Sequence, residues 1–165
     1  MVDTTFTDSY ITTDAILEAM IGSDLRAAAV ALKAAAATAQ AWYCQEATRR
    51  IDSLPLRGTK YEYDQALEFP RIIDGVVVGN SDQDAEVPDA VKRACLEEAL
   101  ALYLEQAGSG VSRAALQEAG VQSYQIPGII SETFRAGAGS SRYGLRSPDA
   151  YRLLSRYIAR SVPIV

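Results

Sequence analysis

The side chains that could perform catalysis are few in this sequence, and their types exclude the commonest reactive pairs. The chain of 165 residues contains no histidine, which removes Ser-His and Cys-His nucleophiles and the most frequent metal ligand. Cys44 and Cys95 lie far apart and neither belongs to a CxxC pair, so their spacing predicts no zinc site. Both fall in predicted helices, where a free cysteine is typically a small buried hydrophobic residue. We therefore expect no enzymatic activity, no metal site and no cofactor.

The acidic residues and the glycine-rich loop offer no clearer chemistry. Glu97 and Glu98 are adjacent in a predicted helix, and adjacent residues of a helix do not face each other. The acidic connector over residues 80–86 is typical of a solvated loop, and we assign it no catalytic or metal role. The glycines within residues 137–139 lack the lysine of a phosphate-binding loop, so flexibility is their simplest interpretation.

The charge of the chain is divided unevenly, which indicates a binding or assembly role. The net charge is −5, yet the residues from Arg135 onward carry six arginines and one acid, while those before it carry ten basic and twenty acidic side chains. A basic end on an acidic body fits contact with nucleic acid or head-to-tail packing of identical subunits. Arg152, Arg156 and Arg160 are spaced by four and predict a basic stripe on the last helix. The stripe is either a solvated face or a surface for an acidic protein or DNA phosphate. The candidate contacts with DNA or an acidic partner are Arg142, Arg146 and Arg152.

The elements that position these side chains are mainly helical. Capping residues and apolar periodicity predict helices over residues 13–21, 23–52, 88–107, 112–119 and 148–160. The helix over residues 88–107 is the best delimited, because Pro88 supplies the fixed φ of a first turn and Asp89 matches the helix dipole. Its wide apolar arc predicts a central position among the other helices, with Glu98 among the residues of its polar strip.

Two hairpins are predicted between the helices. Asp74-Gly75 stands between β-branched residues and predicts a tight turn over residues 72–79, and residues 121–135 form a second candidate. The residue before a proline is pushed toward extended geometry, so Phe69 should point inward while Arg71 points out or pairs with a carboxylate. The predicted structural core motif consists of Leu67, Phe69, Pro70, Arg71, Pro88 and Val91.

Together these elements predict a mainly α fold: a small helical bundle around the 88–107 helix, with one or two β-hairpins and an extended C-terminal tail. We expect a single domain over residues 1–165, made of an N-terminal arm (1–10), a helical body with hairpins (11–160) and the tail (161–165). The sequence has neither an uncharged apolar run of membrane-spanning length nor a secretory signal, so we expect a soluble protein made in a cytoplasm, with no membrane partner.

One set of residues resembles a known family. It consists of Ile51-Asp52, Gly58, Gln65 with residues 67–71, Val87-Pro88, Val91-Lys92 and Glu98-Ala99. Together with the second hairpin and the helix start at Ser147-Pro148, this set is similar to the head–tail connector (adaptor) proteins of long-tailed bacteriophages, over about residues 12–160. The resemblance implies a structural virion protein in the neck of the particle, assembled in the host cytoplasm.

The resemblance also implies partners. Connector subunits form a ring, commonly a dodecamer, that docks beneath the portal protein, extends the DNA channel and offers a platform to a stopper or tail-completion protein. The C-terminal arm of a connector contacts the portal, and here it corresponds to Arg156, Arg160, Val162, Ile164 and Val165. Some members of the family are described as single-stranded-DNA-binding proteins of a primosomal type. A replication-type module that binds single-stranded DNA is therefore the alternative function.

Overall fold

The fold combines helices with two small antiparallel sheets. A computed structural model of the protein describes residues 4–79, 86–107 and 144–159, together with the backbone of residues 123–126 and 130–133. Five helices lie in this part of the chain: α1 (Asp14–Ile21), α2 (Ala27–Ala34), α3 (Ala37–Asp52), α4 (Asp89–Ala107) and α5 (Pro148–Leu154). One sheet has the order β1-β2-β3, formed by Thr59–Lys60, Arg71–Ile73 and Val76–Val78. The other pairs β4 (Ser123–Ile126) with β5 (Ile130–Thr133).

This architecture corrects the predicted fold class in part. About half of the described residues are helical, and the rest includes a three-stranded antiparallel sheet, so the fold is mixed and the prediction of a mainly α protein was too strong. Both predicted hairpins are confirmed, because β2 pairs antiparallel with β3 and β4 with β5. The predicted helix over 112–119 and the tail over 161–165 lie outside the described residues. No helix of the described part is long and apolar enough to cross a membrane.

The central position predicted for the 88–107 helix is confirmed. Helix α4 contacts α1, α2, α3 and α5, and its buried side chains include Val91, Cys95 and Ala99. Cys95 lies against α3, with its Sγ 3.4 Å from the hydroxyl of Thr48 and 3.5 Å from the carbonyl oxygen of Cys44. Both cysteines are free and buried as predicted, and burial raises the pKa of Cys95 to about 12.

The sequence pattern placed Glu98 on the polar strip of the helix, and this prediction was wrong. Its side chain is 0% exposed. Its two carboxylate oxygens accept hydrogen bonds from the backbone N–H of Arg146 at 2.9 Å and of Ser147 at 2.8 Å. The hydroxyl of Ser147 in turn caps α5 by accepting from the N–H of Ala150 at 3.2 Å. The carboxylate therefore joins α4 to the start of α5, a long-range contact that helical periodicity cannot show.

The long helix predicted over residues 23–52 is two helices. Ala35 and Ala36 adopt extended backbone conformations between α2 and α3, despite the high helix propensity of alanine. The buried side-chain amide of Gln40 donates hydrogen bonds to the carbonyl oxygens of Leu32 and Lys33, both at 3.1 Å. These bonds satisfy the carbonyls at the end of α2 that a continuous helix would otherwise use, so tertiary contact overrides propensity here.

The residues predicted to form an N-terminal arm contribute to the core. Phe6 and Tyr10 are each 2% exposed, and the Tyr10 hydroxyl donates to the carboxylate of Asp52. Tyr10 also packs edge-on against Phe69, at 6.0 Å between ring centroids, and Phe69 packs in the same manner against Tyr157 at 5.2 Å. The inward orientation predicted for Phe69 is confirmed, and this ring joins the two ends of the described chain.

The last helix ends earlier than predicted. Helix α5 stops at Leu154 rather than continuing to Arg160. Beyond it the backbone pairs with another segment: the N–H of Arg57 donates to the carbonyl of Tyr157, and the N–H of Ala159 donates to that of Pro55, each at 2.7 Å. An antiparallel bridge joins these bonds, so the hydrogen-bonding groups needed to extend the helix are used across the chain.

Replacing Glu98 by Gln tests the burial of this carboxylate. Burial is the largest influence on the pKa of Glu98 and raises it, although the N–H groups of Arg146 and Ser147 act in the opposite direction. The folded state then binds a proton more readily than the unfolded chain, so the stabilisation by this group is present at low pH and lost as the pH rises through the folded pKa. The unfolding free energy of the wild type minus that of Glu98→Gln should therefore fall as the pH rises above about 4, the ordinary pKa of a glutamate side chain. Urea titrations across this range measure the difference, and a difference that rises with pH would contradict the prediction.

Candidate nucleic-acid interface

The structure separates the arginines that the sequence placed on one basic stripe. Arg152 is exposed on α5, where its guanidinium lies 3.3 Å from the carboxylate of Asp149. Arg156 lies beyond the end of α5, on a different cleft. The side chain of Arg146 is three-quarters buried and its Nε lies 3.1 Å from the carboxylate of Glu105. The other predicted site residues, Arg142, Arg160, Val162, Ile164 and Val165, lie outside the described part of the chain.

The cleft beside Arg152 is electrostatically balanced. It has a volume of about 340 Å³, and its charged lining residues are Arg26, Arg93, Arg152, Asp24, Glu97 and Asp149. The guanidinium of Arg26 donates to both oxygens of Glu97, at 2.7 and 2.8 Å. Because carboxylates match the arginines in number, this cleft is poorly suited to a polyanion.

A second cleft, which we call the arginine cleft, is lined by Arg57, Ser155, Arg156, Ile158 and Ala159. Its volume is about 640 Å³, and no acidic residue is among the described residues that line it. The guanidinium of Arg156 lies over the ring of Tyr157, 4.6 Å from its centroid. This cation–π contact holds the side chain at the cleft without neutralising its charge. Even with Asp74 paired to Arg57 at 2.8 Å, Arg156 leaves this cleft with an excess of positive charge, so it is the more favourable of the two for a phosphate group.

The outer face of the three-stranded sheet adjoins this cleft through Arg57. The register pairs Thr59 with Ile72 and Ile72 with Val77, so these three side chains form a row on one face. Tyr61 follows β1 and its N–H donates to the carbonyl of Pro70, so the register continues and alternation puts its side chain on the face of Thr59. Arg57 precedes Gly58, whose positive φ interrupts the alternation, and it is joined to the sheet by its ion pair with Asp74 in the turn between β2 and β3. We call the surface that these side chains form the sheet platform; its members are Arg57, Thr59, Tyr61, Ile72, Asp74 and Val77.

The sheet platform combines an aromatic ring with a cation. Tyr61 is 41% exposed, and its backbone N–H donates to the carbonyl of Pro70 at 3.1 Å, which keeps it in register with β2. Arg57, four residues before Tyr61, donates from Nη2 to the Asp74 carboxylate at 2.8 Å. Tyr63, two residues beyond Tyr61, is fully exposed. An exposed ring and a guanidinium on the same short segment are the groups that stack on a base and contact a phosphate.

The buried guanidinium of Arg71 fixes the backbone at the start of the sheet platform. Arg71 is 6% exposed and pairs with the carboxylate of Glu68, so the second of its two predicted orientations is confirmed. Its Nε donates to the carbonyl of Arg57 at 2.8 Å and its Nη2 to the carbonyl of Gly58 at 2.7 Å. These bonds fix the backbone that carries Arg57 and begins β1.

The aromatic residues that the sequence offered for stacking are not the ones that the structure presents. Tyr157 is 3% exposed, Tyr151 is half-buried as its place on the apolar stripe predicted, and Tyr143 lies outside the described residues. Tyr61 was missed because β1 has only two residues and gives a weak strand signal. The alternation of Arg57, Thr59 and Tyr61 just before the predicted hairpin was the available clue. The described side chains contain no group of three or more potential metal ligands.

Comparison with known families gives a match over residues 4–164, to the family described as "Putative DnaT-like ssDNA binding protein". The chain belongs to this family. Comparisons with curated proteins and with solved structures give no significant match.

This match corrects the interpretation as a head–tail connector of a bacteriophage. The family is a DnaT-like one, so the connector function, the ring beneath a portal, and the portal and stopper partners were wrong. The residues that carried the resemblance explain the error, because Phe69, Arg71 and Val91 are buried and support packing. Packing motifs describe a fold, whereas function depends on the surface that the fold presents.

Gly58 and Gly75 provide a matched test of the close approach of β1 to β2 in the sheet platform. Both have positive φ angles, of 74° and 81°, so alanine should strain the backbone at either position. A Cβ at Gly58 would lie 2.0 Å from the carbonyl oxygen of Ile72, whereas nothing lies within 4 Å of one at Gly75. We expect Gly58→Ala to lower the free energy of unfolding by at least about 2 kcal/mol more than Gly75→Ala. Urea titration measures both variants, and equal losses would contradict the close approach of β1 and β2.

Proposed function

We propose that this protein binds single-stranded DNA through the sheet platform and the arginine cleft, as a module of the DNA-replication type. The observation that carries the proposal is the exposed ring of Tyr61 at the end of β1, on the segment that begins with Arg57, which itself lines the cleft with Arg156. Membership of a DnaT-like ssDNA-binding family supports the same function.

The arginines would bind the phosphates. Arg57 and Arg156 line a cleft whose described residues include no acid, and both side chains reach solvent. Backbone phosphates contribute most of the affinity in binding that is independent of sequence. A protein with a net charge of −5 needs such a local concentration of positive charge to attract a polyanion.

The platform would bind the bases. Tyr61 offers a π-face beside the half-buried side chains of Ile72 and Val77, and stacking on such a ring tolerates every base. Neighbouring strands are spaced by about 4.8 Å, so three strands give room for only one or two bases. Duplex DNA hides the faces of its bases within the stack, which is why the platform favours a single strand.

Tyr61→Ala tests the stacking step. We expect it to weaken binding of oligodeoxythymidylate by roughly ten-fold or more, because loss of one base–aromatic stack costs about 1–3 kcal/mol. Tyr61→Phe is the matched control and should bind nearly as the wild type does, since it keeps the ring and loses only the hydroxyl. Fluorescence anisotropy with a labelled oligonucleotide measures all three proteins. Equal affinities of the wild type and Tyr61→Ala would remove the platform from the proposal.

Arg57→Ala and Arg156→Ala test the phosphate contacts against Arg152→Ala, which changes the same charge at the balanced cleft. Each of the first two variants should weaken binding, and each should reduce the slope of log affinity against log salt by about 0.7, the value for one phosphate contact on a single strand. Arg152→Ala should leave this slope within error of the wild type. Titrations at several salt concentrations give the slopes. If Arg152→Ala reduces the slope while Arg57→Ala and Arg156→Ala do not, the interface lies at the cleft beside Arg152.

Two expectations from the sequence stay predictions. One is that the chain is not an enzyme, which a bound cofactor in purified material would contradict. The other is a location in the cytoplasm, where single-stranded DNA arises during replication; fractionation of cells that express the protein would test it.

A further inference from the structure

The exposed ion pair between Arg57 and Asp74 lies at the centre of the proposed interface. Oδ2 of Asp74 accepts a hydrogen bond from Nη2 of Arg57 at 2.8 Å. The side chain of Arg57 is 43% exposed and that of Asp74 is 79% exposed. We propose that Asp74 competes with DNA phosphate for Arg57: in the free protein its carboxylate pairs with the guanidinium, and a phosphate must displace it. The inference rests on the proposed function and adds a residue that limits the affinity of the site.

The first argument is the chemistry of the pair. A carboxylate and a phosphate present similar oxygens to a guanidinium, so each can take the place of the other. Water screens an ion pair as exposed as this one, and it therefore contributes little to stability. Its exchange for a phosphate would not disturb the core, because the backbone of Arg57 is held separately by Arg71.

The second argument is that the turn does not need the charge of Asp74. Asp74 and Gly75 have φ angles of 53° and 81°, the pattern of a two-residue hairpin turn with both central residues left-handed. Asparagine is favoured at the first of these positions as strongly as aspartate. The turn would thus be equally well formed by Asn-Gly, and the carboxylate is available for another role.

The consequence is a dependence of phosphate binding on base stacking. A phosphate alone must displace Asp74 from Arg57, whereas a nucleotide strand that also stacks on Tyr61 gains a second contact. Asp74 would in this way disfavour small phosphates relative to single-stranded DNA.

Asp74→Asn tests the inference, because it removes the charge and keeps the turn. In anisotropy titrations with oligodeoxythymidylate, we expect Asp74→Asn to bind about two- to five-fold more tightly than the wild type, the range of one exposed ion pair. Glu18→Gln on α1 makes the same change in net charge at an exposed position away from the sheet and should leave the affinity unchanged. Urea titration of Asp74→Asn verifies that the hairpin substitution leaves the protein folded.

The same substitution in an Arg57→Ala background completes the test. Competition for Arg57 predicts that Asp74→Asn has no effect there, whereas removal of general repulsion would tighten binding in both backgrounds and overturn the inference. Weaker binding by Asp74→Asn alone would also overturn it, since Asp74 would then be positioning Arg57. If the wild type binds and Asp74→Asn binds equally, only this inference fails. If neither protein binds the oligonucleotide, the proposed function fails and the inference fails with it.

Discussion

The buried guanidinium of Arg71 is the interaction on which the candidate interface depends. It pairs with Glu68 and donates to the carbonyl groups of Arg57 and Gly58, so one side chain joins β2 to the start of β1. Without these bonds the two carbonyls would lose the donors that Arg71 supplies, and an unsatisfied buried acceptor costs more than one hydrogen bond contributes. The two-residue strand β1 is too short to persist through its own propensity. Arg71 therefore fixes the backbone that carries Arg57 and leads into the strand before Tyr61.

Glu98 has the corresponding role for the other half of the interface. Its buried carboxylate binds the backbone at the start of α5, and the chain beyond α5 pairs with the segment that leads into Arg57. The buried side chains of Arg71 and Glu98 thus bind backbone groups. The arginines that they position, Arg57 and Arg156, are exposed to solvent. This division separates the residues that determine geometry from those that can meet a partner. Arg152 and Arg156 lie on different clefts because α5 ends between them, at Leu154.

Local signals predicted those parts of the fold that depend on neighbouring residues. Pro88 and Asp89 marked the start of the central helix, capping residues and apolar periodicity predicted α1, and Asp74-Gly75 predicted its hairpin. The failures in helix bounds and in the burial of Glu98 involve contacts between separate elements of the fold. Gln40 ends α2 from within α3, Glu98 binds the chain near residue 146, and the pairing of residues 55–57 with 157–159 ends the last helix. The arginine cleft could not be predicted for the same reason, since a spacing of four implies one face only if the helix continues. The family resemblance relied on buried packing residues, which carry little information about function.

The most direct test of the interface is to find which side chain meets a base. A single-stranded oligodeoxythymidylate carrying 5-iodouracil, irradiated with the wild-type protein, forms a covalent bond to the aromatic ring on which the base stacks, and mass spectrometry of the digested complex identifies the residue. We predict that the bond forms at Tyr61, with Tyr63 as a neighbouring site. Trp42, which is half exposed on α3, is an alternative aromatic site for the crosslink, outside the sheet platform. Crosslinks to Trp42 and none to Tyr61 or Tyr63 would contradict a role of the sheet platform in binding DNA.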